Sequence, residues 1–341
     1  MLFWDFKRNL GSVALMLTMA RKHGMDAPAL LKGSGIALAQ LSDPATEILA
    51  AQELRVASNL MHRLGSDEAN PGIQLGLNYH ASTFGIWGYG MLSSATVADA
   101  QSLALRFLTL SFVFTLVSFH EDASTASFVY GEPDLNPKLV DFIVQRDLAA
   151  TGLILQELIG PDFRATRVAL RAQRPSKSPM HRLFGADIEY GAAINTLSFD
   201  RHLMSRTLPM ANPITAAMCE QMAKQLVDQR RKHASTRNVV TQYLRIPGRT
   251  LPNLATMAAL LHTSTRTLKR RLNEEHTDFS TLLTEARREL AEEMLAEDSL
   301  TLHEITERLG YGDLSTFSQA FKRWTGQPPG TWRRSLASKG E

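Results

Sequence analysis

A sequence pattern that occurs twice, 48 positions apart, constrains the fold of the C-terminal third of this chain. The apolar residues of the two copies correspond in order: Leu254, Met257, Ala258 and Leu261 with Leu302, Ile305, Thr306 and Leu309, then Leu268 and Leu272 with Phe317 and Phe321. In each copy the first four residues follow the i, i+3, i+4, i+7 spacing of an amphipathic helix. Each copy therefore predicts two short helices joined by a turn, which is a helix-turn-helix. The second helix of such a motif can lie in the major groove of DNA.

Length and composition predict a globular protein without a covalent framework. A chain of 341 residues is long enough for two domains, each with its own core. Its formal net charge of +3 excludes a polycationic coat for nucleic acid, so any DNA contact must come from a local basic cluster. The single cysteine, Cys219, excludes an internal disulfide and a multi-cysteine zinc site, which is typical of proteins of the reducing cytoplasm. The apolar run at 107–119 is too short to span a bilayer, so no membrane partner is predicted.

The N-terminal two thirds of the chain mixes helical and strand patterns and predicts an α+β domain. The patterns indicate helices at 12–23, 44–64, 97–110 and 139–159, strands at 111–120, 125–130, 167–171 and 196–199, and a turn at 70–72. Strand patterns disappear after Asn212, and residues 214–228 predict an amphipathic helix that runs into the basic stretch 230–233. We therefore divide the chain into an α+β domain at 1–210, a linker helix and basic linker at 211–237, and an all-α domain at 238–341.

The first copy predicts a recognition helix at 265–275 with a basic outer face. Asn253 and Ser264 are good N-caps for its two helices, since their side chains can accept a backbone hydrogen bond. The residues that lie opposite its apolar face are Arg266, Lys269, Arg270 and Asn273. Arginine bonds guanine O6 and N7 bidentately, and lysine or arginine also neutralises phosphate. The alternative is a solvated basic face, but within a helix-turn-helix the pattern favours DNA contact, with Ser264 included.

The second copy predicts a recognition helix at 314–324 with a different outer face. Gly310 ends the preceding helix, where it is expected to adopt the left-handed conformation, and Asp313 is the N-cap of the recognition helix. Phe317, Phe321 and Trp324 are expected to pack inward. The face left for DNA consists of Ser315, Thr316, Ser318, Gln319, Lys322 and Arg323. Because its first turns are polar but uncharged, this face favours phosphate bonding and modest base contact over strong guanine readout.

A single helix is predicted between the two copies, at 279–296. At about 1.5 Å per residue it is about 27 Å long, against about 34 Å between successive major grooves on one side of DNA. One chain can therefore place both recognition helices in adjacent grooves without forming a homodimer.

The motifs of both halves resemble those of the AraC-type transcription regulators. In the second copy the resemblance lies in LGYGD at 309–313, FS at 317–318 and AFKRW at 320–324, with Gly326, Pro329 and Arg333. In the first copy it extends from Ser264 to Leu272 and includes Phe279. The N-terminal half, with GIQLG at 72–76, GYGML at 88–92 and LSFD at 197–200, is similar to the effector domain of the subgroup that includes ornithine-utilisation regulators. The chain departs from the family pattern at Gln319 (often arginine), Thr306 (usually alanine) and His262 (where glycine is easier).

The sequence indicates less about the ligand site of the effector domain than about the DNA-binding domain. An apolar ligand pocket lined by Phe84, Trp87, Tyr89 and Met91 is one interpretation, and ordinary core packing is the other. His62, His80 and His120 have no metal-ligand spacing, and no phosphate loop, paired-carboxylate pattern or nucleophile elbow occurs. We therefore predict no metal and no cofactor.

The resemblance implies a cytoplasmic, DNA-binding transcriptional regulator, usually an activator, whose N-terminal domain senses a small molecule or mediates dimerisation. We expect a small-molecule effector, a possible homodimer formed through the helix at 214–228, and recruitment of RNA polymerase. One alternative is a ligand-independent regulator controlled by protein partners or abundance. The other is an enzyme of the DNA alkyl-repair type, which is disfavoured because Cys219 lies beside Glu220, an acid that would raise the thiol pKa.

Overall fold

The computed structural model describes residues 7–43, 45–65, 69–133, 135–177, 179–233, 236–244, 251–261, 263–296 and 300–337. They form two compact units that divide after residue 233. The helices of the first unit are α1 Gly11–Lys22, α2 Ala27–Leu31, α3 Ala50–Leu64, α4 Pro71–Gly76, α5 Ile86–Leu92, α6 Val97–Arg106, α7 Pro137–Ile159 and α8 Pro213–His233. Its strands are β1 Arg8–Asn9, β2 Glu47–Ile48, β3 Leu116–Glu121, β4 Thr125–Gly131, β5 Ala165–Leu170, β6 Arg182–Leu183, β7 Ala186–Tyr190 and β8 Asn195–Asp200.

The first unit is built around α7 and a six-stranded sheet of order β3-β4-β8-β5-β7-β6. Its strand pairs are antiparallel except β5 with β7. Phe128 of β4 pairs with Phe119 on one side and Leu197 on the other, which fixes the register. Strand β4 alternates buried and half-buried residues, as expected for a strand with one face in the core. α7 is the central helix, since 16 of its 23 residues are buried.

A buried ionic network ties the N-terminal segment of this unit to α3 and α7. Arg146 donates to Asp147 at 2.7 Å and to Glu53 at 3.2 Å, and Arg8 donates to Glu53 at 3.3 Å. All four side chains are at most 4 % exposed. Burial alone would lower the pKa of Arg146, but the neighbouring carboxylates, led by Asp147, raise it. Charges buried to this depth are tolerated because each has an oppositely charged, hydrogen-bonded partner.

Three local predictions for this unit are wrong, each for a long-range reason. The strand expected at 111–120 begins only at Leu116, because the backbone N–H groups of Phe114 and Thr115 donate to Asp147 rather than to a neighbouring strand. The helix expected at 44–64 begins at Ala50, since β2 precedes it; Pro44 itself lies outside the described residues. The turn expected at 70–72 is the start of α4, where proline at the first helical position is favourable.

The close packing of α4 against α7 accounts for glycine at position 72, within the predicted turn, and at position 76. A Cβ on Gly72 would lie 2.2 Å from the carbonyl oxygen of Phe142, and one on Gly76 would lie 2.5 Å from that of Arg146. The two glycines are therefore needed for helix contact rather than for a turn. The basic stretch 230–233, predicted to be part of a polar linker, is helical, since α8 continues to His233.

The second unit is all-helical in its described residues, as predicted. Its helices are α9 Thr236–Leu244, α10 Leu254–Leu260, α11 Thr265–Glu274, α12 Phe279–Leu295, α13 Leu302–Arg308, α14 Leu314–Thr325 and α15 Pro329–Ala337. The helices predicted for the two motifs and for the connection between them agree with these bounds to within one residue. The second motif closes over a core that includes Leu290, Ile305, Leu309, Phe317 and Phe321, with Trp332 of α15 packed against it.

Candidate nucleic-acid interface

The first helix-turn-helix is formed by α10 and α11, and local caps set its helix starts. The side chain of Asn253 accepts from the backbone N–H of Thr256 at 2.9 Å, and that of Ser264 accepts from Thr267 at 3.1 Å. Both caps are as predicted. Met257 and Ala258 of α10 are buried, as are Leu268 and Leu272 of α11. Their burial fixes which side of α11 is left outside. His262, in the turn, lies outside the described residues.

The outer face of α11 carries the predicted basic cluster. Arg266, Lys269, Arg270 and Asn273 are all exposed, and together with Thr265 and Glu274 they line one open concavity. The guanidinium of Arg270 pairs with the carboxylate of Glu274 at 2.6 Å, one helical turn later. Both side chains are more than half exposed, so this pair is screened by water and is worth well below about 1 kcal/mol. Arg270 can therefore exchange Glu274 for an anionic partner at little cost.

Glu275 fixes the end of α11 against the first helix of the unit, which the sequence analysis does not predict. Its carboxylate accepts from the backbone N–H of Thr236 and that of Arg237, each at 2.7 Å. These are N–H groups at the start of α9, which have no partner within their own helix. A carboxylate there also compensates the positive end of the helix dipole. Because the partners are 39 and 38 residues away in sequence, no local motif signals this contact.

The second helix-turn-helix is formed by α13 and α14. Thr301 and Glu304 form a capping box at the start of α13, and Gly310 has φ +71°, the left-handed conformation predicted for it. Asp313 caps α14 by accepting from the backbone N–H of Thr316 at 2.8 Å. This hydrogen bond holds the pKa of Asp313 below its usual range, so the cap is ionised at neutral pH.

The core side of α14 is as predicted, with a small difference at its end. Phe317 and Phe321 are fully buried, whereas Trp324 is only partly buried at the edge of the cluster. Thr306 of α13, which departs from the family pattern, is 1 % exposed, and its hydroxyl donates to the carbonyl of Leu302 at 2.7 Å. The added polar group is thus hydrogen-bonded inside its own helix and leaves the packing of α13 on α14 intact.

The outer face of α14 is polar at its start and basic only near its end. Ser315, Thr316, Gln319, Lys322 and Arg323 are exposed, and Ser318 is half-buried. The hydroxyl of Thr316 donates to Asp313 at 2.8 Å and so takes part in the cap. The two recognition helices therefore differ in charge: α11 presents three cationic side chains across its face, whereas α14 presents hydroxyl and amide groups first.

Arg287 of α12 fixes the turn of the second motif, and it too was missed. Its guanidinium donates to the carbonyl oxygens of Leu309 at 3.0 Å and Gly310 at 3.4 Å, and it stacks over the Tyr311 ring at 4.6 Å. The carbonyls at a helix C-terminus have no partner within the helix and favour a cation. Arg287 thereby connects the helix between the motifs to the turn before α14.

The four residues proposed for a ligand pocket do not form one lining. Trp87 and Met91 border a small apolar cavity, Phe84 packs in an aromatic cluster with Tyr79 and Phe112, and Tyr89 is 50 % exposed. Of the three histidines, His80 is hydrogen-bonded through Nδ1 to the carboxylate of Glu157 at 2.5 Å. Within the described ranges, no cluster of three or more potential metal ligands occurs.

The pKa of Cys219 is raised, as predicted, but the cause is different. Cys219 is buried against α5, and desolvation by this burial raises the pKa of its thiol. Glu220, which the sequence analysis made responsible, instead pairs with Arg106 at 3.0 Å. A buried, protonated thiol is a poor nucleophile.

Comparison with known proteins agrees with this arrangement. Residues 24–208 match the arabinose-binding domain of AraC transcription regulators, and residues 257–335 match a helix-turn-helix domain. An uncharacterized HTH-type transcriptional regulator of Mycobacterium tuberculosis is 29% identical over 330 residues, which is 94% of each chain. The ornithine utilization regulator of Pseudomonas aeruginosa is 29% identical over 266 residues, covering 77% of this chain and 78% of that protein.

Among solved structures, the transcriptional regulator CdpR of Pseudomonas aeruginosa is similar, with a TM-score of 0.41 and 24% identity over 82% of this chain and 91% of that one. The matched domains and relatives are transcription regulators and not enzymes, in agreement with the sequence analysis. No helix in the part of the chain that the structure describes has both the length and the apolar content needed to cross a membrane.

Proposed function

The chain belongs to the AraC family of transcription regulators, and from this premise we propose that it activates promoters by placing α11 and α14 in two successive major grooves. The observation that carries the proposal is the outer face of α11, where cationic side chains are exposed on a helix whose opposite side is locked into the core by Leu268 and Leu272. The 17 residues of α12 form a connection of about 26 Å. Successive major grooves are about 34 Å apart, so the remaining difference must come from the offset of the recognition helices from the ends of α12.

We assign sequence readout mainly to the first recognition helix. Arg266, Lys269, Arg270 and Asn273 contact base edges and adjacent phosphates, and a bidentate arginine–guanine pair discriminates by about 1–3 kcal/mol. Ser264 and the residues of the second helix position the protein on the backbone: Ser315, Thr316, Ser318, Gln319, Lys322 and Arg323. Hydroxyl and amide groups bond phosphate without regard to sequence, so the second helix sets register more than specificity.

We further propose that two copies associate through α8. One side of this helix packs on Gly90 of α5 through Cys219, and its buried residues Cys219 and Ala223 are 4 % and 1 % exposed. The other side presents an apolar stripe, which we define as Ile214, Met218, Met222 and Leu226, with exposures of 74, 58, 47 and 38 %. An exposed apolar row of this kind marks an interaction surface. A second copy of the same helix supplies a matching row, as a two-fold homodimer interface requires.

The remaining assignments are proposals that rest on membership of the family. Family membership supports the proposal that the α+β domain at 1–210 binds a small-molecule effector, that residues 211–237 connect it to the DNA-binding domain at 238–341, and that the bound protein recruits RNA polymerase in the cytoplasm. The names of the family model and of one relative suggest arabinose or ornithine as candidate effectors. A regulator controlled by partners or abundance, with no effector, is the second candidate; failure of every small molecule to bind the N-terminal unit favours it.

The test is occupancy mapping across the genome followed by footprinting of the full chain on an occupied promoter. The chain offers a matched pair of arginines: Arg270 pairs with Glu274 and Arg288 pairs with Glu292, both one turn apart and both exposed. Arg270→Ala is expected to weaken binding to the preferred site by about 5- to 150-fold and to relax preference at one base pair. Arg288→Ala, on α12, is expected to change binding by less than about twofold.

Three results would contradict the proposal. One is a footprint that covers a single groove. Another is an equal loss of affinity for the Arg270 and Arg288 variants. If Arg270→Ala weakens binding uniformly across all sequences, Arg270 contacts phosphate and the readout assigned to it is wrong.

A further inference from the structure

A partly enclosed cavity of about 60 Å³ lies in the first unit, between α5, α6, α7 and the first two strands of the sheet. Of its 15 lining residues, 13 are apolar, and none carries a charge. The two polar residues are Gln101 and Thr151. The hydroxyl of Thr151 already donates to the carbonyl of Asp147 at 2.9 Å, which leaves it only as an acceptor. The cavity therefore offers a ligand apolar contact with almost no hydrogen bonding.

We propose that this cavity is the effector site and that it accepts an uncharged hydrocarbon group rather than a sugar or an amino acid. A pentose would bury several hydroxyl groups, each of which needs a hydrogen-bond partner or costs on the order of 1–3 kcal/mol. Ornithine would bury ionised groups, and the cavity lining contains no side chain of opposite charge. The inference rests on the proposed function only in that the N-terminal unit responds to a small molecule.

The size of the cavity indicates which wall must move when a ligand enters. A volume of about 60 Å³ is that of about two water molecules, whereas a cavity that holds benzene measures about 150 Å³. A longer hydrocarbon group must therefore displace lining side chains. Trp87 is held in place by its ring N–H, which donates to the carbonyl of Ala104 at 3.2 Å. Met91, on the same helix, has an unbranched and adaptable side chain, so it is the group that yields.

Movement of α5 would reach α8 directly. Gly90 of α5 faces Cys219 of α8 so closely that a Cβ on Gly90 would lie 3.3 Å from the Cβ of Cys219. Displacement of Met91 by a ligand therefore acts on α5, which packs against the buried side of α8, whereas the exposed side of α8 carries the apolar stripe. The effector then binds with different affinity to chains that differ in the position of α8. Such a difference is what an allosteric effect on dimer formation requires.

The test uses the full chain and a series of primary alcohols from ethanol to 1-octanol, with L-arabinose and L-ornithine as polar probes. Binding is measured by titration calorimetry, and association by sedimentation. Each methylene that enters the cavity should tighten binding by about fourfold until the chain fills it. Ala104→Leu, which fills the cavity, should weaken alcohol binding by at least about tenfold. Ala98→Leu is the matched control, because Ala98 is a half-buried alanine of the same helix that does not line the cavity.

A second cavity variant tests the same proposal if Ala104→Leu does not fold. Val117→Thr keeps the side-chain shape but places a hydroxyl in the cavity, so it should weaken alcohol binding by about fivefold. Binding of arabinose or ornithine without alcohol binding would overturn the inference, as would alcohol affinities that Ala104→Leu and Ala98→Leu change equally. A separate footprint of the unliganded chain distinguishes the two proposals. If the chain binds alcohols but gives no footprint, the proposed DNA readout is wrong and the effector site is not affected. If it gives a footprint but binds no alcohol, only the proposed effector site is wrong.

Discussion

Two adjacent glutamates at the end of the first recognition helix have opposite tasks, which gives a sharp prediction. The carboxylate of Glu274 pairs with Arg270 on the exposed outer face of α11, which we propose contacts DNA. The carboxylate of Glu275 points to α9 and accepts two backbone hydrogen bonds of 2.7 Å there. Replacing either residue by alanine removes one negative charge from the same end of α11. The two variants are therefore matched in charge and position and differ in which contact is lost.

The expected stability effects follow from these contacts. Loss of an N-cap costs about 0.5–2 kcal/mol, and loss of the charge at the helix N-terminus about 0.3–1 kcal/mol. For Glu275→Ala we take about 1–2 kcal/mol, which corresponds to about 5- to 30-fold faster amide hydrogen exchange in residues 236–244 if these open locally. Glu274→Ala removes one exposed ion pair worth about 0.3–0.5 kcal/mol, so exchange should hardly change.

The expected effects on DNA affinity have opposite signs. Glu274→Ala releases Arg270 and removes a negative charge that would face phosphate, so binding should tighten by about two- to fivefold, less at high salt. Glu275→Ala loosens α11 from α9, so binding should weaken by up to about tenfold. Exchange mass spectrometry and titration of a labelled promoter fragment at two salt concentrations measure both effects. If both variants weaken binding alike, or if Glu275→Ala leaves exchange in 236–244 unchanged, the assignment of the two carboxylates is wrong.

Three further predictions concern the first unit. Glu53→Ala removes the buried carboxylate that Arg8 and Arg146 share and should lower the free energy of unfolding by about 3–5 kcal/mol, whereas Glu47→Ala, at an exposed position, should change it by less than about 0.5 kcal/mol in chemical denaturation. Met218→Asp on the apolar stripe should shift the full chain towards monomer in sedimentation, with Gln221→Asp on the same helix as the control; dimers of equal stability would contradict the α8 interface. Because burial raises the pKa of Cys219, its alkylation at pH 8 should be slower than that of a free thiol and should accelerate on denaturation.

The features that could be predicted from the sequence are those set by residues within one helical turn of each other. Asn253, Ser264 and Asp313 each accept a hydrogen bond from the residue three positions later, so their roles as caps are visible in a short window. The buried positions of both motifs follow from helical periodicity in the same way. Exposure of the basic face of α11 is then a geometric consequence, because it lies opposite Leu268 and Leu272.

The features that could not be predicted depend on partners distant in the chain. Asp147 takes the backbone N–H groups that would have extended β3, and it lies more than 30 residues from them. The sequence predicts a turn at Gly72. The actual reason for glycine there is the approach of α7, which leaves no room for a side chain and is not visible in the sequence. Three of the four proposed pocket residues lie on α5, and Phe84 lies just before it. Their side chains nevertheless point in different directions, because successive residues of a helix lie on different sides of it. Tyr89 accordingly lies at the surface while Trp87 and Met91 border the cavity.

The two recognition helices are held in place by different contacts within the second unit. α14 follows a turn held by Arg287 of α12, so its position depends on the helix that connects the motifs. α11 is held at its C-terminal end by Glu275, whose partners are the first described residues after α8. The helix that we propose to read sequence is therefore held by a contact to the start of α9, whereas the helix proposed to anchor the protein is held by α12.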